Sequence, residues 1–122
     1  MSSFDEQVQA AVLAHSQWKL HLRQAISAGK SDFRVEAVQM DNQCAFGKWL
    51  YAEGHQSFPS VTGYDDVRTL HAAFHKEAAR VLSLAVSGKP DDASKAMELG
   101  SPFSKVSAQL VTALTRARAA AA

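Results

Sequence analysis

The sequence predicts an all-α protein, an antiparallel four-helix bundle to which additional short helices can be attached. Apolar residues recur at steps of three and four along most of the chain, which is the spacing of helices that bury one face. No segment shows the alternation of apolar and polar residues that is typical of a half-buried strand. We therefore expect helices packed side by side around one core.

Length and composition exclude several classes of protein. The chain has 122 residues, the size of one ordinary domain, and 13 Lys and Arg stand against 12 Asp and Glu. This balance lacks the charge excess of a disordered segment or of a nucleic-acid-binding protein, so we expect no nucleic-acid partner. No apolar run approaches the about 18 residues of a membrane span, so we expect no membrane partner. The single cysteine cannot close an internal disulfide, which favours a cytoplasmic location.

The first predicted helix spans about residues 3–28. Ser3 and Glu6 form a capping box at its start, and Gly29 supplies the left-handed residue that commonly ends a helix. One seam of this helix consists of Phe4, Val8, Ala11, His15, Trp18, Leu22 and Ala25. The polar member of that seam, His15, needs an explanation.

Two shorter helical pieces are predicted next, over residues 33–40 and 43–52. Asp41 and Asn42 offer a cap for the second piece. Gly54, Pro59 and Gly63 then break the chain.

The remaining sequence predicts two more main helices. The first carries the apolar stripe Val67, Leu70, His71, Phe74, His75, Ala78, Val81, Leu82 and Ala85. This helix is expected to stop, and a new one to start, at residues 88–91. Helical spacing then continues from Ala93 to the end of the sequence, and Pro102 is expected to kink or split this last helix. We expect one domain over residues 1–122, with its core at about 3–115 and an Ala/Arg-rich tail at 116–122 that frays or extends as free helix.

Three segments carry residues that suit a metal ion. His71 and His75 are four apart, so on a helix their imidazoles project from one face and can reach one ion. His15 lies on the apolar seam of another helix, where an unsatisfied buried polar group costs about 1–3 kcal/mol. Cys44 falls near a predicted helix start, where exposed backbone N–H groups favour a thiolate. Together these residues form a Cys-His₃ set, the number and type of ligands that tetrahedral zinc prefers.

The residues around these candidates admit a role as an apolar surround of the site. Gly47 follows the cysteine by three positions and suggests close approach of a neighbouring helix. The aromatic side chains are expected mainly in the core and secondarily as a shell that keeps water from the metal: Trp18, Phe46, Trp49 and Phe74. His21 and His55 are not assigned to the metal.

Other interpretations use the same residues. Each histidine alone fits a hydrogen-bonded core residue, and Cys44 alone fits a small buried hydrophobe. A zinc hydrolase would use three ligands and a water, but four protein ligands and the lack of a His-Glu-x-x-His motif argue against catalysis. A di-iron or haem-binding bundle is a further alternative, although inward carboxylates are few, and a metal-free interaction bundle is another.

The sequence resembles the chemoreceptor zinc-binding (CZB) domain family of bacterial signalling proteins. The resemblance covers about residues 3–115 and depends on three motifs: HSQWK (15–19), CAFGKWL (44–50) and LHAAFH (70–75). It implies an all-helical domain in which His15, Cys44, His71 and His75 hold Zn²⁺. Family members are attached to cytoplasmic chemoreceptors and diguanylate cyclases, whose output they modulate according to zinc and, in some cases, oxidants such as hypochlorous acid.

The resemblance predicts a zinc-responsive regulatory module for chemotaxis or cyclic-di-GMP signalling rather than an enzyme. Because the sequence contains neither a receptor coiled coil nor a cyclase domain, we expect it to act on a signalling partner in trans or to be a piece of a longer protein with a fused output domain. The Ala-rich last helix offers a close-packing face for a homodimer. Cys44 is the expected redox switch, because a sulfenic acid binds zinc more weakly than a thiolate does.

Overall fold

The protein is a bundle built from helices of very different lengths. The computed structural model describes residues 4–121, and of His55 it describes the backbone alone. The elements are α1 (Phe4–Ala28), α2 (Val35–Gln39), α3 (Ala45–Trp49), a π-helical turn (Leu50–Gly54), α4 (His55–Ser57), α5 (Val61–Val86), α6 (Pro90–Ala96) and α7 (Pro102–Ala121). No strand occurs in this part of the chain. The predicted all-α class is confirmed.

The long helices α1 and α5 run in the same direction, and α7 runs in the opposite one. Arg118 near the end of α7 forms an ion pair with Asp5 near the start of α1, so these two helices are antiparallel. The Phe4 ring packs edge-on against Phe58, which precedes α5, at a centroid distance of 4.9 Å, so α1 and α5 begin at the same end of the bundle. The segment from α2 to α4 takes the place of the second helix. The predicted antiparallel bundle is therefore confirmed, with three long helices and one strongly broken one.

Helix α1 follows the predicted seam. Its buried residues are Val8, Ala11, His15, Leu22 and Ala25, while Phe4 and Trp18 are half-buried. Gly29 ends the helix with a φ of 72°, a left-handed value that glycine adopts without a steric penalty. The predicted capping box involves Ser3, which lies outside the described residues.

The segment before α5 differs from the prediction in one important way. The cap of α3 is Cys44, not the Asp41-Asn42 pair, because the sulfur accepts a hydrogen bond from the Gly47 N–H at 3.3 Å. Helix α3 lasts five residues and continues into the π-helical turn. A cysteine is a weak acceptor and carries none of the usual signals of an N-cap, so sequence patterns favour the nearby Asp and Asn.

The second half of the chain supplies two long helices with buried apolar stripes. Ser60 caps α5 by accepting the Gly63 N–H at 2.9 Å, and Gly88 follows its end with a φ of 78°. Pro102 occupies the first position of α7, so it starts a helix there and separates it from α6, as predicted. Helix α7 continues through the Ala/Arg-rich tail to Ala121, and this tail is not free, because Ala117 is buried.

The core runs between the three long helices and surrounds the histidines. Its largest fully buried apolar side chains are Phe74, Phe103, Leu22, Leu50, Leu82, Leu110 and Leu114. Phe74 of α5 packs against Phe103 of α7 at a centroid distance of 5.5 Å, directly behind the histidine cluster. Within residues 4–121, no helix is long and apolar enough to cross a membrane.

Candidate metal centre

Three separate elements bring four metal-binding side chains together. His15 comes from α1, Cys44 from the N-cap of α3, and His71 and His75 from adjacent turns of α5. One nitrogen or sulfur atom from each of the four lies within 4.8 Å of the others. The Cys44 Sγ atom is 3.4 Å from His71 Nε2 and 3.6 Å from His75 Nε2. The structure therefore unites all four predicted ligand positions in one cluster.

Backbone carbonyl groups fix the orientation of two imidazoles. His15 Nδ1 donates to the Ala11 carbonyl oxygen at 2.7 Å, and His75 Nδ1 donates to the Val38 carbonyl oxygen at 2.8 Å. A carbonyl can only accept, so the proton belongs on Nδ1 in both rings. This arrangement leaves the lone pair on each Nε2 free for a metal, and it is the usual outer contact of a metal-binding histidine.

His71 lacks such an outer contact. Its Nδ1 is the one buried side-chain nitrogen or oxygen without a hydrogen-bond partner in the described part of the chain. The ring is completely buried, and an unsatisfied polar atom in such a place costs about 1–3 kcal/mol. The Nε2 atom of this ring faces the Cys44 sulfur, so a metal ion bound there would leave Nδ1 without a partner, and the free energy of coordination would offset the cost of burying the ring.

Burial keeps the three imidazoles uncharged. Loss of hydration lowers the pKa of His15 to about 4 and of His71 to about 2, and it also lowers the pKa of His75. The neighbouring histidines lower the first two pKa values further, whereas the hydrogen bonds to backbone carbonyls partly oppose the effect at His15 and His75. Neutral imidazole is the form that binds metal ions, so the fold presents these rings ready to coordinate.

Cys44 behaves differently from the sequence-based expectation. Burial raises the pKa of its thiol, and the N–H groups at the start of α3, chiefly that of Gly47, oppose this rise without reversing it. In the metal-free protein Cys44 is therefore a thiol and not a thiolate. The helix-start N–H groups lower the pKa of the thiol, as the sequence predicts, but the loss of hydration outweighs them. A bound cation would supply the positive charge that favours deprotonation.

Gly47 is required by a close approach, but not of a neighbouring helix. A side-chain carbon at this position would overlap the Asp41 carbonyl oxygen and lie 2.8 Å from the Asp41 carbonyl carbon and 3.1 Å from Asn42 Cα. The chain that leads to Cys44 thus folds back over the first turn of α3. Because Gly47 has no side chain, the backbone of Asp41 and Asn42 can pack directly against it, and the Cys44 sulfur then lies beside α5.

The predicted aromatic surround divides into near and distant members. The Phe46 ring lies 5.2 Å from the His71 ring, and the Phe74 ring lies 5.1 Å from the His15 ring, both edge-on. Trp49 packs against Phe46 at 5.7 Å, one layer further out.

Trp18 belongs to a second aromatic group. It forms an aromatic group with His21 and Phe33, at centroid distances of 5.2 and 4.8 Å. His55 begins the short helix α4 directly after Gly54, where the sequence predicts a break in the chain.

Sequence reasoning missed the groups that orient the donors. The Val38 carbonyl is 37 residues from His75, and a backbone carbonyl leaves no trace in residue type. Tyr51 was also missed: its hydroxyl donates to the Asp41 carboxylate and links the π-helical turn to the Cys44 segment. A possible signal was the spacing of Cys44, Gly47 and Tyr51, which is that of one helix face.

The donor set fits zinc. Three imidazole nitrogens and one sulfur form a four-coordinate set of the kind found in structural zinc sites. The cluster contains no carboxylate, which a di-iron centre would need. The ring centroids of the three histidines are 4.6, 4.8 and 5.5 Å apart, which leaves no slot for a planar haem between them.

The fold and the site define a class: a helical bundle with a buried metal centre of three histidines and one cysteine. The family model of the chemoreceptor zinc-binding domain matches residues 15–82, which is more than half of the chain and includes all four donors. The protein therefore belongs to the chemoreceptor zinc-binding domain family, a family of zinc-binding regulatory domains. Comparisons with curated proteins and with solved structures gave no significant match.

Proposed function

We propose that this protein is a zinc-responsive regulatory module that binds one Zn²⁺ through His15, Cys44, His71 and His75. The observation that carries the proposal is the origin of the donors. They come from α1, the start of α3 and α5, so one ion would connect three separate elements directly. Zinc binding then stabilises the arrangement in which these elements are together and shifts the population towards it.

The Cys44 segment is the part that zinc occupancy would affect most. The histidines belong to helices of 25 and 26 residues that form the core, whereas Cys44 begins a helix of only five residues. A short helix has little stability of its own and depends on its contacts. The change between zinc-bound and zinc-free forms is therefore expected at residues 40–54 rather than in the long helices.

Oxidation of Cys44 is the proposed second input. The sulfur is the half-buried member of the cluster, while the three imidazoles are buried. Net reaction of the thiolate with hypochlorous acid gives a sulfenic acid and chloride, with sulfur oxidised and chlorine reduced. A sulfenic acid is a poorer zinc ligand than a thiolate, so oxidation would weaken the bond that holds this segment.

The proposed role is regulatory and not enzymatic. Four protein donors complete the coordination of a tetrahedral zinc ion, whereas catalytic zinc sites keep a position for water or substrate. The buried imidazoles also leave little room for a substrate beside the ion.

The family membership supports a role in bacterial signal transduction, in chemotaxis or cyclic-di-GMP signalling. We propose a cytoplasmic single domain that acts on a signalling partner, in trans or fused, and that can form a homodimer. Binding of nucleic acid or membrane is not part of this proposal, and the near-balance of charge supports that view.

Metal analysis of matched variants tests the proposed site. Protein purified without chelator should contain about one zinc ion per chain and no visible chromophore. Cys44→Ser and His15→Ala should each lower the zinc affinity at least about 100-fold in chelator competition. His21→Ala, on the same helix but outside the cluster, is the control and should leave the affinity unchanged. Equal zinc affinity in Cys44→Ser and wild type would refute the proposal.

A further inference from the structure

The segment that carries Cys44 is held in place from the outside by one side-chain hydrogen bond. Tyr51, in the π-helical turn, donates its hydroxyl proton to the Asp41 carboxylate ten residues earlier. Asp41 lies at the other end of the same fold-back, where its backbone carbonyl crosses Gly47. The bond therefore joins the two ends of a segment, residues 42–50, that includes Cys44.

This hydrogen bond lies between the protein surface and the metal centre. Tyr51 is 47% exposed, so its hydroxyl sits at the surface, whereas the Cys44 sulfur beneath it contacts two buried imidazoles. The carboxylate also acts electrostatically on both Cys44 and His75, which places its charge near the cluster. The hydrogen bond raises the pKa of Tyr51 to about 12, so at neutral pH the phenol keeps the proton that the bond requires.

Few other side-chain hydrogen bonds hold residues 40–44 in place. Within residues 40–44, the side-chain hydrogen bonds to α5 are those of the sulfur, to His71 and His75. The Gln43 side chain bonds only to its neighbour Asn42, and both side chains belong to the segment. When the sulfur releases its partners, the Asp41–Tyr51 hydrogen bond still holds residues 41–44, while the buried Phe46 ring keeps the next turn packed against His71.

We propose that the Asp41–Tyr51 hydrogen bond is a latch that sets how fast the Cys44 segment opens, and hence how fast zinc leaves and reagents reach the sulfur. Tyr51 is thus a positioning residue, which acts through Asp41 and does not touch the metal. The predicted effect on zinc release rests on the proposed zinc site. Its thiol-access part concerns the metal-free protein and stands independently of zinc.

The test measures the effect of Tyr51→Phe in the wild-type full chain and in the Asp41→Ala variant. In the metal-free protein, alkylation of Cys44 by iodoacetamide is followed by mass spectrometry; in zinc-loaded protein, metal release to a chromogenic chelator is followed by absorbance. Tyr51→Phe should raise both rates about 5-fold, because it removes one hydrogen bond to a carboxylate. In the Asp41→Ala background the same substitution should change neither rate, since the acceptor is already absent. This comparison removes the effect of the Asp41 charge on the thiol.

Tyr64→Phe is the matched control. The Tyr64 hydroxyl donates to the Leu50 carbonyl oxygen at 3.3 Å, so Tyr64→Phe removes a different tyrosine hydrogen bond to the π-helical turn. It should leave both rates within about 2-fold of wild type. Urea unfolding of every variant separates local opening from global loss of stability, and Asp41→Leu, which also lacks an acceptor, replaces Asp41→Ala if the latter does not fold.

Two results would overturn the latch. Unchanged alkylation and release rates in Tyr51→Phe would show that the bond does not control opening, and equal acceleration in both Asp41 backgrounds would show that the effect does not pass through it. If no variant or wild type binds zinc, the zinc site fails as a proposal, while the alkylation comparison still decides the latch.

Discussion

Cys44 combines two properties that seldom occur together in one residue. It caps a helix by accepting the Gly47 N–H, and it stands between two imidazoles as the half-buried donor of the cluster. Because burial raises the pKa of its thiol, the metal-free site is a neutral assembly of one thiol and three imidazoles. Metal binding must therefore change the protonation of the sulfur and leave that of the histidines alone.

This difference predicts a proton count. At neutral pH, zinc binding should release about one proton per ion, from the Cys44 thiol, because the buried histidines are already neutral. Calorimetric titration in buffers of different ionisation enthalpy measures the number. Release of no proton would mean a pre-formed thiolate, and release of two or more would mean charged histidines; either result would contradict the electrostatics described here.

The ligand residues were predictable from the sequence, whereas their supports were not. His71 and His75 are four apart on a clear apolar stripe, and His15 interrupts another, so local periodicity already placed them on inward faces. The Val38 carbonyl that orients His75 belongs to a different helix and has no side-chain signature. The raised pKa of Cys44 was equally hidden, because burial depends on the whole fold.

At the scale of elements, the first turn of α3 is where the sequence is hardest to interpret. Sequence patterns placed a cap at Asp41 and Asn42, but these residues instead cross over Gly47 and leave the cap to Cys44. The start of α7 at Pro102 and the ends of α1 and α5 at Gly29 and Gly88 were predictable, because restricted or left-handed backbone geometry is encoded in single residue types.

Substitution of Gly47 tests the fold-back over α3. Gly47→Ala should lower the free energy of unfolding by about 2 kcal/mol, since the overlap with the Asp41 carbonyl outweighs the better helix propensity of alanine. It should also weaken zinc binding by moving Cys44. Gly88→Ala is the control: no atom lies within 4 Å of a side-chain carbon there, and its left-handed φ costs about 1 kcal/mol without affecting the metal. Equal zinc affinity in Gly47→Ala and wild type would contradict the fold-back.

For the whole molecule, the metal centre is embedded in a core that is mainly apolar. The three buried histidines contact each other, two of them also contact Phe74, and the helices that carry them bury long hydrophobic stripes beyond the site. The metal-free protein should therefore remain folded and helical, unlike small zinc domains that unfold without metal. What zinc adds is stability through binding to the folded state alone.

The buried histidines make the stability of the metal-free protein depend on pH. Their pKa values lie below the ordinary value of about 6.5, so between about 6.5 and the folded-state values the unfolded chain binds more protons than the folded chain. The contribution of these histidines to the free energy of unfolding should therefore be complete above about pH 6.5. It should decrease as the pH falls towards about 4. Urea unfolding at about pH 7.5 and about pH 5 measures this loss before most carboxylates titrate. His15→Leu should reduce the slope, and a flat profile in the wild type would contradict neutral burial.

X-ray absorption at the zinc edge tests the central claim most directly, because it reports the atoms bound to the metal. Zinc-loaded protein should show one sulfur at about 2.3 Å and three nitrogens at about 2.0–2.1 Å, and the sulfur contribution should vanish in Cys44→Ser. A zinc ion surrounded by oxygen, or by nitrogen without sulfur, in the wild-type protein would contradict a site made by His15, Cys44, His71 and His75.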